Sequence, residues 1–309
     1  MNRTILRRGA SVLLALCLLA GSAVLVGAAG VQAKAEKASV LPVKQEPKSG
    51  ITVYSNAKAS VDASNLAEGY LIVAYTGGKD VRIKVRITKS GTQVNYDYDL
   101  NNAGRTESFP LTEGDGKYTV TVFENTTGTK YATAFTCEVD LKLRNDFLPY
   151  LYPNQYVDYG EESQTVKTAA TLCAGQDDRG KVEQVFDYVV DGFTYDYDLA
   201  ATVQSGYLPD VDKVLAAKKG ICFDYAAVMT AMLRSQNVPC KLVVGYAGEI
   251  YHAWINVYIE GVGWVDKVIY FDGKTWTLMD PTFTSSGKRS DSIMRYVTDS
   301  TNYTQKYAY

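Results

Sequence analysis

The sequence predicts an α+β fold in which an all-β, immunoglobulin-like sandwich precedes a mixed part with helices first and strands after. Three observations carry this expectation. Residues 51–143 alternate apolar and polar side chains with a period of two, between turns rich in glycine. Residues 161–235 change to a helical period. Residues 241–280 return to short β-type runs, an order typical of α+β architecture.

Taken in order, residues 1–33 read as a secretory signal peptide. Arg3, Arg7 and Arg8 form a basic start, residues 10–31 are almost wholly apolar, and Val31-Gln32-Ala33 supplies small residues for cleavage. The apolar run is nearly long enough to span a bilayer, so an uncleaved N-terminal anchor is the rival reading. Residues 34–50, rich in Lys, Glu, Ala and Pro, read as a flexible linker. In residues 51–143, Tyr70–Tyr75 reads as a buried strand. Val81, Ile83, Val85 and Ile87 alternate with Arg82, Lys84 and Arg86 as a half-buried one. Strands at Val94–Tyr98, Tyr118–Phe123 and Tyr131–Leu143 complete six or seven over about ninety residues, the spacing of a sandwich. There is no Cys…Trp…Cys core, so a true immunoglobulin domain is not implied.

Residues 144–160, rich in Tyr and Pro, read as a connector, and residues 161–309 as the second domain. Helices are expected over Glu161–Cys173, Arg179–Val190 and Asp210–Ala217. An extended aromatic stretch is expected at Gly192–Asp198. Residues 220–233 read as an amphipathic helix whose apolar stripe is Val228, Met229, Met232 and Leu233. Strands follow at Lys241–Tyr246, His252–Ile259, Trp264–Val265 and Trp276–Asp280, the last stopped by Pro281.

Composition narrows the functional classes. A net charge of −2 gives no basic surface for nucleic acid. The 24 tyrosines suit binding surfaces and sheet faces. Cys137, Cys173, Cys222 and Cys240 remain beyond the leader; none forms a Cys-x-x-Cys pair, so zinc and thioredoxin-like chemistry are not indicated. No run of oxygen ligands resembles a calcium loop, and no cofactor or metal is expected.

The single histidine, His252, must do any imidazole chemistry. Cys222 opens a helix, where free N–H groups and the helix dipole favour a thiolate. Taken alone, it reads equally as a small buried thiol. Asp280 ends the next long strand after His252. A strand pair would set His252 and Asp280 side by side, with the cysteine helix packed on the sheet. Nucleophile, base and orienting carboxylate would then share one cleft. Asp266, Asp272 and Asn256 compete with Asp280 for the orienting role. Asp224 reads as a first-turn acid that complements the helix dipole.

Gly220-Ile221-Cys222-Phe223-Asp224-Tyr225-Ala226, His252-Ala253-Trp254 and Leu278-Met279-Asp280-Pro281-Thr282 resemble the three boxes of the transglutaminase-like superfamily, over roughly residues 160–285. The resemblance implies a papain-like core with Cys222 as nucleophile, His252 as base and Asp280 as orienter. It implies acyl transfer through a thioester, to water (a peptidase or amidase) or to an amine (protein cross-linking). It also allows a catalytically silent binding or cell-surface assembly protein. Tyr195, Tyr197 and Trp254 are candidate substrate-binding residues, Tyr195 and Tyr197 lying where the family places an oxyanion partner. Together with the leader, this predicts a secreted or cell-surface bacterial enzyme whose partner is a peptide or protein, cell-wall-associated ones included. Nucleic acid is excluded, and the membrane is met only through the N-terminal segment.

Overall fold

The computed structural model describes residues 41–266, 269–271, 276–278 and 302–309. The predicted signal peptide lies outside them. Residues 38–309 form one compact unit.

The N-terminal strands are β1 (Val53–Ser55), β2 (Ala59–Asp62), β3 (Tyr70–Tyr75), β4 (Ile83–Lys89), β5 (Asn95–Leu100), β6 (Glu107–Pro110), β7 (Gly116–Thr127) and β8 (Lys130–Leu141). They make two four-stranded antiparallel sheets, ordered β1-β2-β3-β6 and β5-β4-β7-β8. Alternation explains which face is buried. Ile83, Val85 and Ile87 point inward from β4, and Tyr118, Val120 and Val122 from β7, while the intervening residues stay at the surface. Val61, Leu71, Val73 and Phe109 of the other sheet share the same core. Tyr98 of β5 meets Phe109 of β6 edge-on, with centroids 4.8 Å apart, and so joins the two sheets. The short β1, β2 and β6 lack a clear alternating run, which is why the sequence reading starts its strands at Tyr70.

The second part begins with α1 (Gln164–Leu172), α2 (Asp178–Gly192), β9 (Thr194–Tyr195), α3 (Tyr197–Thr202), α4 (Val211–Ala217) and β10 (Lys219–Gly220). It continues with α5 (Cys222–Ser235), β11 (Cys240–Ala247), β12 (Ile250–Ile259), β13 (Gly263–Val265), β14 (Ile269–Phe271), β15 (Trp276–Leu278) and β16 (Tyr303–Ala308). Strands β13-β12-β11-β16 form an antiparallel sheet, and β14 pairs with β15 alone. The stretch expected to be extended through Asp198 is extended only at β9. Asp196 then caps α3 by accepting the Leu199 N–H at 3.0 Å, which turns Tyr197 into a helical residue.

Helix α5 departs from the amphipathic expectation: every residue from Asp224 to Ser235 is buried. It packs between β11 and β12 on one side and α1, α2 and α4 on the other. Ala226, Ala227, Thr230 and Ala231 fill its remaining faces with small side chains, so neighbours approach from all round.

Arg234, in the last turn of α5, is 2% exposed. Its guanidinium donates from Nε to the Cys240 carbonyl at 2.9 Å, and from Nη1 and Nη2 to those of Tyr152 and Tyr309, each at 2.6 Å. One side chain thereby ties together α5, β11, the 144–160 segment and the end of β16. That segment is itself well packed, with Tyr150, Tyr152, Val157 and Tyr159 buried.

Gly245 of β11 is the other fixed point. A Cβ there would press on the Thr304 carbonyl oxygen and come within 2.9 Å of Trp254 Cη2, so only glycine lets β16 lie this close. The β11–β16 register slips between Val244 and Gly245 at the same place.

Candidate active site

Cys222 is set in position by its N-terminal neighbours. Strands β9 and β10 pair in parallel, Tyr195 opposite Gly220, and the Asp196 N–H donates to the Gly220 carbonyl at 2.9 Å. Asp224, two residues after Cys222, caps the helix: its Oδ2 accepts the Ile221 N–H at 2.8 Å. Its Oδ1 accepts the Tyr207 hydroxyl at 2.7 Å. Gly220 is required here because a Cβ would meet Asp224 Cβ at 2.7 Å and Oδ2 at 2.9 Å. Asp224 is fully buried, and burial raises its carboxyl above the usual range while the Ile221 and Tyr207 donors pull it down. This acid therefore holds the first turn through two hydrogen bonds, a more specific role than dipole compensation.

His252 lies on β12 opposite Gly245 of β11. By alternation it shares a face with Trp254 and Asn256, while Ala253, Ile255 and Val257 face the core that holds α5. His252 thus points away from the core that holds α5. Its ring lies nearly parallel to that of Trp254, centroids 6.4 Å apart.

Cys222 and His252 line one cleft of about 440 Å³. The elements around it also contribute Tyr195, Tyr207, Phe223, Tyr251 and Tyr309. Tyr195 and Tyr251 both sense the cysteine. Burial lifts the Tyr195 phenol to about 12, helped by Cys222 and its neighbouring tyrosines, while the main-chain donor of Cys222 acts the other way. At neutral pH this phenol is a hydrogen-bond donor beside the Cys222 N–H. Burial pushes Cys137 and Cys173 up to about 11 and Cys240 to about 12, so these three thiols stay protonated and unreactive.

The other predicted residues fall as follows. Tyr197 is 68% exposed on α3; it meets Tyr195 edge-on at 5.0 Å and does not itself line the cleft. Trp254 is 2% exposed and packs with Val243, Ala247 and Tyr303 behind the histidine, away from the cleft lining. Asp280 and Asp272 lie outside the described residues, and β15 is described only against β14. Asp266 accepts a hydrogen bond from Asn256 Nδ2 at 2.9 Å. That pair sits four residues along β12 from His252, roughly 13 Å of strand, too far to orient its imidazole directly. Among the described residues no group of three or more His, Cys, Asp or Glu could hold a metal ion.

Tyr207, Tyr251, Phe223, Tyr156 and Tyr309 went unmarked in the sequence reading. Only Phe223 carried a signal, its place beside Cys222. The others reach the cleft from loops, a hairpin and a distant strand.

Residues 167–267, which hold both Cys222 and His252, match the sequence model of the transglutaminase-like superfamily. The chain also resembles parts of two curated relatives. A UPF0252 protein of Methanocaldococcus jannaschii is 27% identical over 117 residues, 34% of this chain and 33% of that protein. The protein YebA of Bacillus subtilis is 28% identical over 148 residues, 40% of this chain and 20% of that one. The chain thus spans a third or less of these relatives. Among solved structures, a candidate cysteine protease of Cytophaga hutchinsonii aligns with a TM-score of 0.38 at 15% identity, over 84% of this chain and 74% of that one. A candidate protease of Parabacteroides distasonis aligns at 0.30 and 14%, over 62% and 38%.

Proposed function

We propose that the protein is an exported cysteine enzyme that transfers acyl groups from peptide or protein amides through a thioester. The observation that carries this reading is the shared cleft, with Cys222 in the first turn of α5 and the chain's only histidine lining the same space. The first turn favours a thiolate, and His252 is the base that takes the thiol proton.

In the first half-reaction, the Cys222 thiolate attacks the amide carbonyl carbon and the C=O electron pair moves onto oxygen. The Cys222 N–H and the Tyr195 hydroxyl receive that oxyanion. The C–N bond then breaks, the imidazolium of His252 protonates the leaving amine, and a thioester remains. In the second half, His252 removes a proton from water or an acceptor amine, which attacks the thioester and restores the thiol. Asp280 is assigned as the residue that orients His252, on the resemblance of its sequence box. The predicted leader supports a site of action outside the cell.

The test incubates the protein with a glutamine-containing protein and a labelled amine, scoring amine incorporation, ammonia release and backbone cleavage together. At least one product is expected, and both Cys222→Ala and His252→Ala should abolish it with the circular dichroism unchanged. Activity surviving Cys222→Ala would overturn the reading. The rate of iodoacetamide labelling at Cys222 across pH provides a second check: an ordinary thiol profile, unmoved by His252→Ala, would mean no thiolate–imidazolium pair.

A further inference from the structure

The cleft walls beside the nucleophile are aromatic in a way that bears on what enters. Phe223, next to Cys222 in sequence, lines the cleft and is half-buried. Its ring lies 5.5 Å from that of Tyr156, which packs edge-on against Tyr309 at 4.6 Å. Tyr156 and Tyr309 also line the cleft.

This cluster is backed from behind by strand β5. Tyr98 stacks on Tyr156 at 5.7 Å and meets Tyr309 at 5.9 Å, and Tyr96 meets Tyr309 edge-on at 5.6 Å. The wall is therefore held rigid by the N-terminal sheet. Of the other lining residues, Tyr207 is pinned by its bond to Asp224, and Tyr195 by the β9–β10 pairing. Tyr251, 57% exposed, stands at the rim against Tyr246, centroids 5.5 Å apart.

Among the described residues, the lining contains no Asp, Glu, Lys or Arg. Asp224, the carboxylate in the same helical turn, is buried and turned to Tyr207 and Ile221. Among the described lining residues a charged substrate side chain would lose water and find no Asp, Glu, Lys or Arg to pair with, only Cys222 and His252. An aromatic one would bury its ring against preformed edges and faces, in a volume within the range of small-ligand pockets.

From this wall we infer that the enzyme takes an uncharged peptide segment with an aromatic residue beside the amide that Cys222 attacks. The inference rests on the proposed function for the position of that amide, but the aromatic subsite is a property of the cleft itself. Phenols around the subsite remain protonated and can donate to the segment's carbonyls while the ring packs on Phe223, Tyr156 and Tyr309.

The test is calorimetric binding to the full-length Cys222→Ala protein, so that turnover plays no part. The probes are end-blocked hexapeptides of identical sequence carrying Phe, Ser, Asp or Lys at one central position, and a chitin-type oligosaccharide of similar length. The Phe peptide should bind about ten-fold or more tighter than the Asp and Lys peptides. Tyr251→Ser, at an exposed rim position where folding is not at stake, should reduce that preference. Equal binding across the peptides, no measurable binding of any, or tighter binding of the oligosaccharide would overturn the inference. Loss of acyl transfer with the Phe preference intact would count against the proposed reaction alone.

Discussion

Replacing Arg234 by methionine should cost about 3–4 kcal/mol of folding stability. Methionine keeps the length and apolar stem of the side chain but removes its donors. The three carbonyls of Cys240, Tyr152 and Tyr309 then lose a charged partner in an interior without water. Hydrogen bonds from charged donors contribute about 1.5–3 kcal/mol each, about 5–9 kcal/mol for three. Removing a buried charge returns several kcal/mol of desolvation, which brings the net to the value above. Burial already pulls the guanidinium's pKa below its usual range, evidence of that desolvation cost, although arginine stays charged. Against a typical total of about 5–15 kcal/mol, the change is large. Urea unfolding followed by tryptophan fluorescence measures it. Arg234→Lys should recover little, because one ammonium cannot reproduce the planar fork that reaches three carbonyls in different elements. A loss below about 1 kcal/mol for the methionine variant would refute the idea that these bonds hold the second part together.

Gly245→Ala should destabilise by about 1–3 kcal/mol, since the added Cβ meets the backbone of β16 and the Trp254 ring; hydrogen exchange should show the loss concentrated in β16. Glu124 accepts from Tyr75 Oη at 2.8 Å and pairs with Lys79 at 2.6 Å and Lys58 at 3.0 Å, which lowers its carboxyl from 4.5 to about 2, Lys79 contributing most. A depressed carboxylate stabilises the fold above its unfolded pKa and loses that contribution as pH falls through the folded value. About 1–3 kcal/mol, discounted for the half-exposed lysines, should therefore disappear between pH 4.5 and 2. Glu124→Gln should flatten urea stability over that window; an unchanged slope would remove Glu124 from the account. Tyr207→Phe should cost about 1 kcal/mol by leaving Asp224 short of a donor. Asp224→Asn should cost less than Asp224→Ala, because its amide can still accept from Ile221 and donate to the Tyr207 oxygen. Equal losses in the two would show that the hydrogen bonds at Asp224 are not what holds the turn.

The two residues that share the cleft were legible locally. Cys222 sits at a helix start and His252 is the only histidine, so residue type and position point to the pair without tertiary information. The strands β4 and β7 were equally clear, because one buried face imposes strict alternation. The full burial of α5 was less visible: a helix enclosed on all sides needs small residues as well as large ones, and alanines read as neutral. Tyr197 fell in a helix because Asp196 supplies a cap, a signal that the surrounding aromatic run obscured. Trp254 shares its strand with His252, yet the sheet's order, invisible in the sequence, turns it to the core. The abundance of tyrosine suggested surfaces and sheet faces. Tyr96, Tyr98, Tyr156 and Tyr309 instead form one cluster that joins β5 to the cleft, a pairing of positions some two hundred residues apart.

Residues 302–309 carry a temporal consequence. Strand β16 supplies the Tyr309 carbonyl to Arg234, covers Gly245 and lines the cleft, although the nucleophile and the histidine precede it by fifty residues or more. During synthesis from the N-terminus, the β-sheets and α5 can form before these residues exist, but the wall of the cleft cannot. The cleft is thus completed only after translation has passed β16, with the pairing of β11 and β16 as a late, long-range step in folding. An unfinished copy would have a thiol and an imidazole but no finished cavity in which to use them.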